Sequence, residues 1–144
     1  MTILPGWRIP EVEPLENGLR RQPNLAIQVE IVGPGVQKNR LGLKELSMFA
    51  FSLFDIPAAR FLDHDDARSR LAEIGVPAVD VVETGPAFGH SQASLLQLAE
   101  GKYPGTNNER EGIVIRPLRE MTSRSLNGRL SFKAISNRFL LKEE

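Results

Sequence analysis

The sequence has no cysteine, one tryptophan and one tyrosine, and its formal net charge is zero. Without thiols there are no disulfides, no cysteine-based metal sites and no thiol catalysis. No apolar run approaches the roughly 18 residues that a membrane span needs. The first residues combine prolines with acids, lack a basic start followed by an apolar stretch, and do not read as a signal peptide. The expected setting is the reducing cytoplasm, with no membrane partner. Charged residues at 25% and hydrophobic residues at 41% are ordinary for a folded domain, which excludes a disordered chain.

Zero net charge conceals an uneven distribution. Between Gly112 and Lys142 stand seven basic side chains (Arg116, Arg119, Arg124, Arg129, Lys133, Arg138 and Lys142) against the single acid Glu120. A basic third inside a neutral chain suggests a surface that faces a polyanion, although runs of charge are commonly just solvated faces.

Residues 1–23 hold Pro5, Gly6, Pro10, Pro14, Gly18 and Pro23, a density that reads as a loosely ordered leader without a stable helix. Trp7 in this leader is expected either to cover exposed core or to pair with an upstream piece. From residue 25 the run Leu-Ala-Ile-Gln-Val-Glu-Ile-Val predicts a strand stopped by Gly33-Pro34-Gly35. Alternation sets Gln28 and Glu30 opposite Ile27, Val29 and Ile31. A second strand is predicted over 46–56, with Phe49, Phe51 and Leu53 on one face and Met48, Ala50 and Phe54 on the other. Apolar residues on both faces indicate a central, covered strand.

Residues 63–75 predict a helix with Asp63 as N-cap, Asp65 and Asp66 in its first turn, and Gly75 just past its end. That position accounts for the three acids beside His64 without a metal. Residues 78–83 predict a short strand and 91–99 a second helix, with His90 at its entry. After a polar loop, strands are predicted over 111–116 and 129–135, with 118–127 as a mobile connection and 136–142 as a short helix or turn. The order of elements implies an α+β fold, mostly antiparallel sheet with two inserted helices.

Three polar residues sit where purely structural strands do not require them. Glu30 lies in an apolar strand, Glu111 opens another ahead of Gly112, and Lys133 lies in a third. Carboxylates and a lysine on neighbouring strands can hold a divalent cation and a phosphate, since hard cations take oxygen ligands and an ammonium neutralises phosphate. Taken singly, each also reads as a side chain on a wet strand face. Gly112 permits another backbone to approach closely.

Glu111-Gly112-Ile113-Val114-Ile115-Arg116 resembles motif IV of the covalent nucleotidyltransferases, the group of RNA ligases, DNA ligases and capping enzymes. Three further segments agree in order. Residues 27–40 resemble motif III with its following turn, residues 49–56 resemble motif IIIa, and residues 131–142 resemble motif V. The long turn from Gly33 to Arg40 and the Ser136-Asn137-Arg138-Phe139 ending are similar to RNA ligases in particular. The resemblance therefore marks residues 24–144 as a partial RNA ligase nucleotidyltransferase domain containing motifs III, IIIa, IV and V.

That resemblance implies ATP and Mg2+ or Mn2+ as cofactors, RNA with 5′-phosphate and 3′-OH ends as substrate, and end joining through lysyl-AMP and RNA-adenylate. It implies that Glu30 contacts the AMP ribose and that Phe51 stacks on adenine, with Phe49 as rival. Glu111 is implied as the metal residue and Lys133 as the α-phosphate contact, these two being the catalytic side chains. Arg40 and Arg116 are implied as nucleic-acid contacts. The sequence departs from the family pattern at Val29 and Lys38, where glycine is common, and at Ile135, where a second motif V lysine is frequent.

The nucleophile of the family belongs to Lys-x-Asp-Gly, motif I, ahead of motif III. The five lysines are Lys38, Lys44, Lys102, Lys133 and Lys142, and none begins that tetrapeptide. Lys102-Tyr103-Pro104-Gly105 is the nearest imitation, with proline in place of aspartate. The expectation is a truncated or split ligase that needs an upstream polypeptide carrying motif I; the alternative is a catalytically silent remnant that binds nucleotide or RNA.

Overall fold

The computed structural model describes residues 9–143, so Pro5, Gly6 and Trp7 lie outside the described residues. The chain divides into two units, Met1–Val79 and Asp80–Glu144. The architecture is mixed helix and antiparallel sheet, as the order of predicted elements implied, with four α-helices among the described residues.

The first unit opens on a correction. Val12–Arg21 forms helix α1 where a proline-rich leader was expected. Pro14 sits in its first turn, where the missing N–H has no intrahelical partner to lose, so proline there does not break the helix. Glu13 in the first turn and Arg20 and Arg21 in the last complement the helix dipole. Leu15 and Leu19 turn inward against the core. Gly18 is the point of closest approach to the following helix: a Cβ there would lie 2.6 Å from Ile74 Cγ2 and 2.7 Å from the Ile74 carbonyl oxygen.

Strands β1 (Leu25–Val32), β2 (Ser47–Asp55) and β3 (Arg60–Phe61) form an antiparallel sheet in that order, which makes β2 the central strand, as expected. Helix α2 (His64–Ile74) follows Asp63 and ends at Gly75. Met48, Ala50, Leu53, Leu71, Ile74 and Val76 form the buried core between sheet and helix. Leu53 and Ile74 are both 1% exposed, and each contributes about 1.5–3 kcal/mol through burial.

Strict alternation fails in β2. Gln28 is opposite Ser52 and Val29 is opposite Ala50, so Phe51 is the extra residue of a bulge in β2. This bulge shifts the side-chain phase by one, and Leu53 joins Met48 and Ala50 in the core instead of sharing a face with Phe49 and Phe51. On β1, Ile27 and Val29 face the core as predicted, but Ile31 is exposed beyond it.

The predicted strand over 78–83 is reduced to one parallel bridge between Ala50 and Ala78, with Val79 N–H donating to the Ala50 carbonyl at 2.9 Å. Val81 and Val82 are exposed, because a β-prone run forms no strand without a neighbour to pair with.

The second unit contains helix α3 (Gln92–Ala99) and strand β4 (Gly112–Ile115), then β5 (Thr122–Ser123), β6 (Gly128–Arg129), β7 (Phe132–Ile135) and helix α4 (Asn137–Glu143). Ser91 caps α3 by accepting from Ser94 N–H, and the Ser94 hydroxyl accepts from Ser91 N–H in return, a reciprocal cap at both ends of one turn. His90 stands at this entry, with Nδ1 3.2 Å from Ser94 Oγ and Nε2 2.9 Å from Glu83 Oε1. Arg110 closes the other end of α3: its Nε donates to Ala99 O at 3.2 Å and its Nη2 to Glu100 O at 2.7 Å, satisfying carbonyls that the helix leaves open.

Strands β4 and β7 pair antiparallel, with Val114 opposite Lys133 and Gly112 opposite Ile135. The connection expected to be mobile contains the β5–β6 hairpin, with Thr122 opposite Arg129 and Ser123 opposite Gly128. Asn127 adopts a left-handed conformation (φ 48°) in its turn, which asparagine tolerates better than most residues. No helix among the described residues is long and apolar enough to cross a membrane.

Candidate functional site

In the first unit, Glu30 is an exposed residue of β1 directly opposite the half-buried Phe49 of β2. Phe51 occupies the bulge and is 37% exposed. A bulge re-aims a side chain, a device found beside functional sites. Arg40 follows a 3-10 turn over Gln37–Asn39 and is partly buried. Asn39 holds this turn: its Nδ2 donates to Leu43 O at 2.8 Å, and its Oδ1 accepts from Leu43 N–H at 3.0 Å. Lys38 within the turn has φ 61° and ψ 15°, a left-handed conformation that costs a side-chain-bearing residue about 1–2 kcal/mol. The departure from glycine noted in the sequence thus falls at a position whose backbone favours glycine.

In the second unit, Lys133 Nζ donates a hydrogen bond to Glu111 Oε1, and the two side chains form an ion pair with each 44% exposed. The strand pairing continues one residue past β4, since Ser136 N–H donates to the Glu111 carbonyl at 2.9 Å. Ser136 is fully buried, and its Oγ accepts from Phe139 N–H at 3.3 Å, capping α4. Glu111 is thereby fixed at the same junction that starts the C-terminal helix. Gly112 admits the neighbouring strand: a Cβ there would lie 2.1 Å from the Ala134 carbonyl oxygen, so no side chain fits without separating β4 from β7.

Arg116 is half-buried and its Nε lies 3.2 Å from Ser131 Oγ, to which it donates. Burial lowers its pKa, the nearby Arg129 lowers it further, and Glu120 opposes both. Arg129 pairs through Nε and Nη2 with both carboxylate oxygens of Glu120, in a two-pronged ion pair whose side chains are largely buried. These three residues root the β5–β6 hairpin. Sequence reading singled out Arg116 and missed Glu120 and Arg129, whose partnership depends on the hairpin.

The chemistry available around Glu111 and Lys133 is that of one carboxylate and one ammonium at an exposed strand end. Among the described residues no group of three or more His, Cys, Asp or Glu side chains forms a ready-made metal cage. One carboxylate suits Mg2+ or Mn2+ bound together with water and substrate phosphate, because Mg2+ keeps several waters and rarely takes an all-protein shell.

The family model for RNA ligases matches residues 5–135. No curated protein matches the sequence. Solved structures of an RNA ligase from Naegleria gruberi are similar to this chain: one with pyrophosphate, one of a lysine-to-methionine variant with AMP and manganese, and one of a lysine-to-alanine variant with ATP and manganese. Each is 30% identical with a TM-score of 0.74, and the match covers 88% of this chain and 37% of that one. The chain therefore spans little more than a third of the length of these relatives.

Proposed function

The chain belongs to the RNA ligase family, and from that premise we propose that it is the motif III-to-V portion of an ATP-dependent RNA-joining enzyme. The observation that carries this reading is the Glu111–Lys133 pair, Glu111 immediately before β4 and Lys133 on β7, which juxtaposes the implied metal carboxylate and the implied phosphate-binding ammonium. Lys133 neutralises charge on the α-phosphate as AMP is transferred, where a fixed cation lowers the barrier. Glu111 would hold Mg2+ or Mn2+ through its carboxylate, and the cation when bound would screen phosphate charge. In the first unit, Glu30 accepts hydrogen bonds from the AMP ribose, and Phe51 stacks on adenine from its exposed bulge position. Arg40 contacts the RNA.

None of the five lysines begins Lys-x-Asp-Gly. Lys102, the nearest imitation, forms an isolated antiparallel bridge with Glu109, with its Nζ 3.4 Å from Asn107 Oδ1. A nucleophilic lysine needs defined geometry opposite its phosphate, so the nucleophile of the joining reaction comes from a Lys-x-Asp-Gly segment outside these 144 residues, on this polypeptide or on another (a split ligase). The basic stretch between Gly112 and Lys142 supports a second reading, a silent module that binds nucleotide or RNA without joining ends.

The test is incubation with α-labelled ATP and magnesium, first alone and then with an added polypeptide containing the Lys-x-Asp-Gly segment of the family. Label on the added polypeptide only when this chain is present supports the split-ligase reading. Label on this chain alone overturns it. RNA binding without label in either case favours the silent module.

A further inference from the structure

The structure resolves the basic stretch between Gly112 and Lys142 into paired and free cations. Lys133 pairs with Glu111, Arg138 with Glu100 at 3.1 Å, Lys142 with Glu109 at 3.3 Å, and Arg129 with Glu120. Arg116 is half-buried against Ser131. The two that remain, Arg119 and Arg124, are exposed and form no ion pair among the described residues. Both belong to the segment that leads into and turns the β5–β6 hairpin, Arg119 three residues before Thr122 and Arg124 immediately after Ser123. The charge imbalance seen in the sequence is thus confined, in its unneutralised part, to one projection between the strand after Glu111 and the strand of Lys133.

Three features distinguish this projection from a solvated charged loop. Its root is fixed by the largely buried Glu120–Arg129 pair, with Leu130 N–H donating to Met121 O at 2.8 Å. The only acid in the segment, Glu120, is consumed by that pair, and Arg116 beside it leaves two guanidiniums to one carboxylate, so the local field is positive. Met121 and Leu126 are each 54% exposed next to the free arginines. Arginines beside apolar side chains on a fixed turn offer charge to phosphates and apolar surface to sugar or base faces, whereas water rewards only the charge.

We propose that the β5–β6 hairpin is an RNA-contacting element in which Arg119 and Arg124 bind backbone phosphates. This rests on the reading of RNA as the substrate and adds to it the place and the residues of contact. Arg116, through its bond to Ser131, supports the hairpin root. The contacts are to the backbone, so they position the strand without reading sequence.

The test measures binding of a fluorescent 5′-phosphorylated oligoribonucleotide to the full chain across a salt series. The variants are Arg119→Ala with Arg124→Ala, and Arg138→Ala as a control cation that is already paired. Each single-strand phosphate contact contributes about 0.7 to the slope of log K against log salt. The double variant is expected to lose about 1.4 of that slope and to bind about tenfold or more weakly at low salt. The control keeps the wild-type slope, and thermal unfolding of all three proteins coincides. A wild-type slope retained in the double variant overturns the hairpin assignment while leaving RNA as substrate. Failure of the unaltered chain to bind RNA at any salt overturns both, and selective binding of an acidic polypeptide instead marks a protein-facing hairpin.

Discussion

Lys133 and Glu111 meet as an ion pair across neighbouring strands, each side chain 44% exposed. An exposed pair of this kind contributes roughly 0–1 kcal/mol, because water screens it and two long side chains lose freedom to form it. Stability therefore does not explain these two residues. Glu111→Gln and Lys133→Met are each expected to leave the denaturation midpoint of the chain nearly unchanged. In an assay complemented with motif I, each is expected to lower RNA joining by about 100-fold or more. A large loss of stability with little loss of joining would make the pair structural.

Gly18 marks the crossing of α1 over α2. Substituting alanine places a methyl group 2.6–2.8 Å from three atoms of Ile74, two of them backbone, and backbone yields less readily than a flexible side chain. Gly18→Ala is expected to destabilise the chain by about 1–3 kcal/mol through overpacking, despite the better helix propensity of alanine. Urea denaturation measures it, and a midpoint at or above that of the wild type would show that α1 does not pack as described.

Gly112 presents a sharper version of the same constraint. Its added Cβ would meet the Ala134 carbonyl oxygen at 2.1 Å, and that oxygen belongs to the strand carrying Lys133. Gly112→Ala is expected to cost about 3 kcal/mol and to move Glu111 away from Lys133. Amide hydrogen exchange of β4 and β7 should rise together in this variant. Unchanged protection there would count against the pairing.

Lys38 offers the opposite sign. Its left-handed backbone is strained for a lysine, and glycine relieves the strain while adding freedom to the unfolded chain. Lys38→Gly is expected to stabilise the chain by roughly 0.5–1 kcal/mol. A decrease in the thermal midpoint would mean that the lysine side chain contributes more than its backbone costs.

The family, the α+β class and the central place of β2 were legible in the sequence because they rest on order and spacing. Glu30, Glu111 and Lys133 stand in β-rich runs, and motifs III, IIIa, IV and V follow one another in a fixed sequence that no packing detail can rearrange. Helix α2 was equally legible, since Asp63 before it and Gly75 after it are local signals. What the sequence misread depended on neighbours. Proline density hid α1, whose stability comes from Leu15, Leu19 and Gly18 meeting the core. Alternation misplaced Leu53, because a bulge at Phe51 exists only against the register of β1. The run over 78–83 had the composition of a strand and lacked a partner.

The same division holds for charge. The sequence alone determined that the last third is basic, that no cysteine chemistry exists and that no Lys-x-Asp-Gly is present. Which cations are neutralised was decided by tertiary structure, because ion pairing falls off within a few ångströms and its partners here lie far apart in the chain: Lys133 with Glu111, Lys142 with Glu109, Arg138 with Glu100. Composition counts charges; only the folded backbone sets the distances between them, and those distances leave Arg119 and Arg124 as the exposed cations of the hairpin.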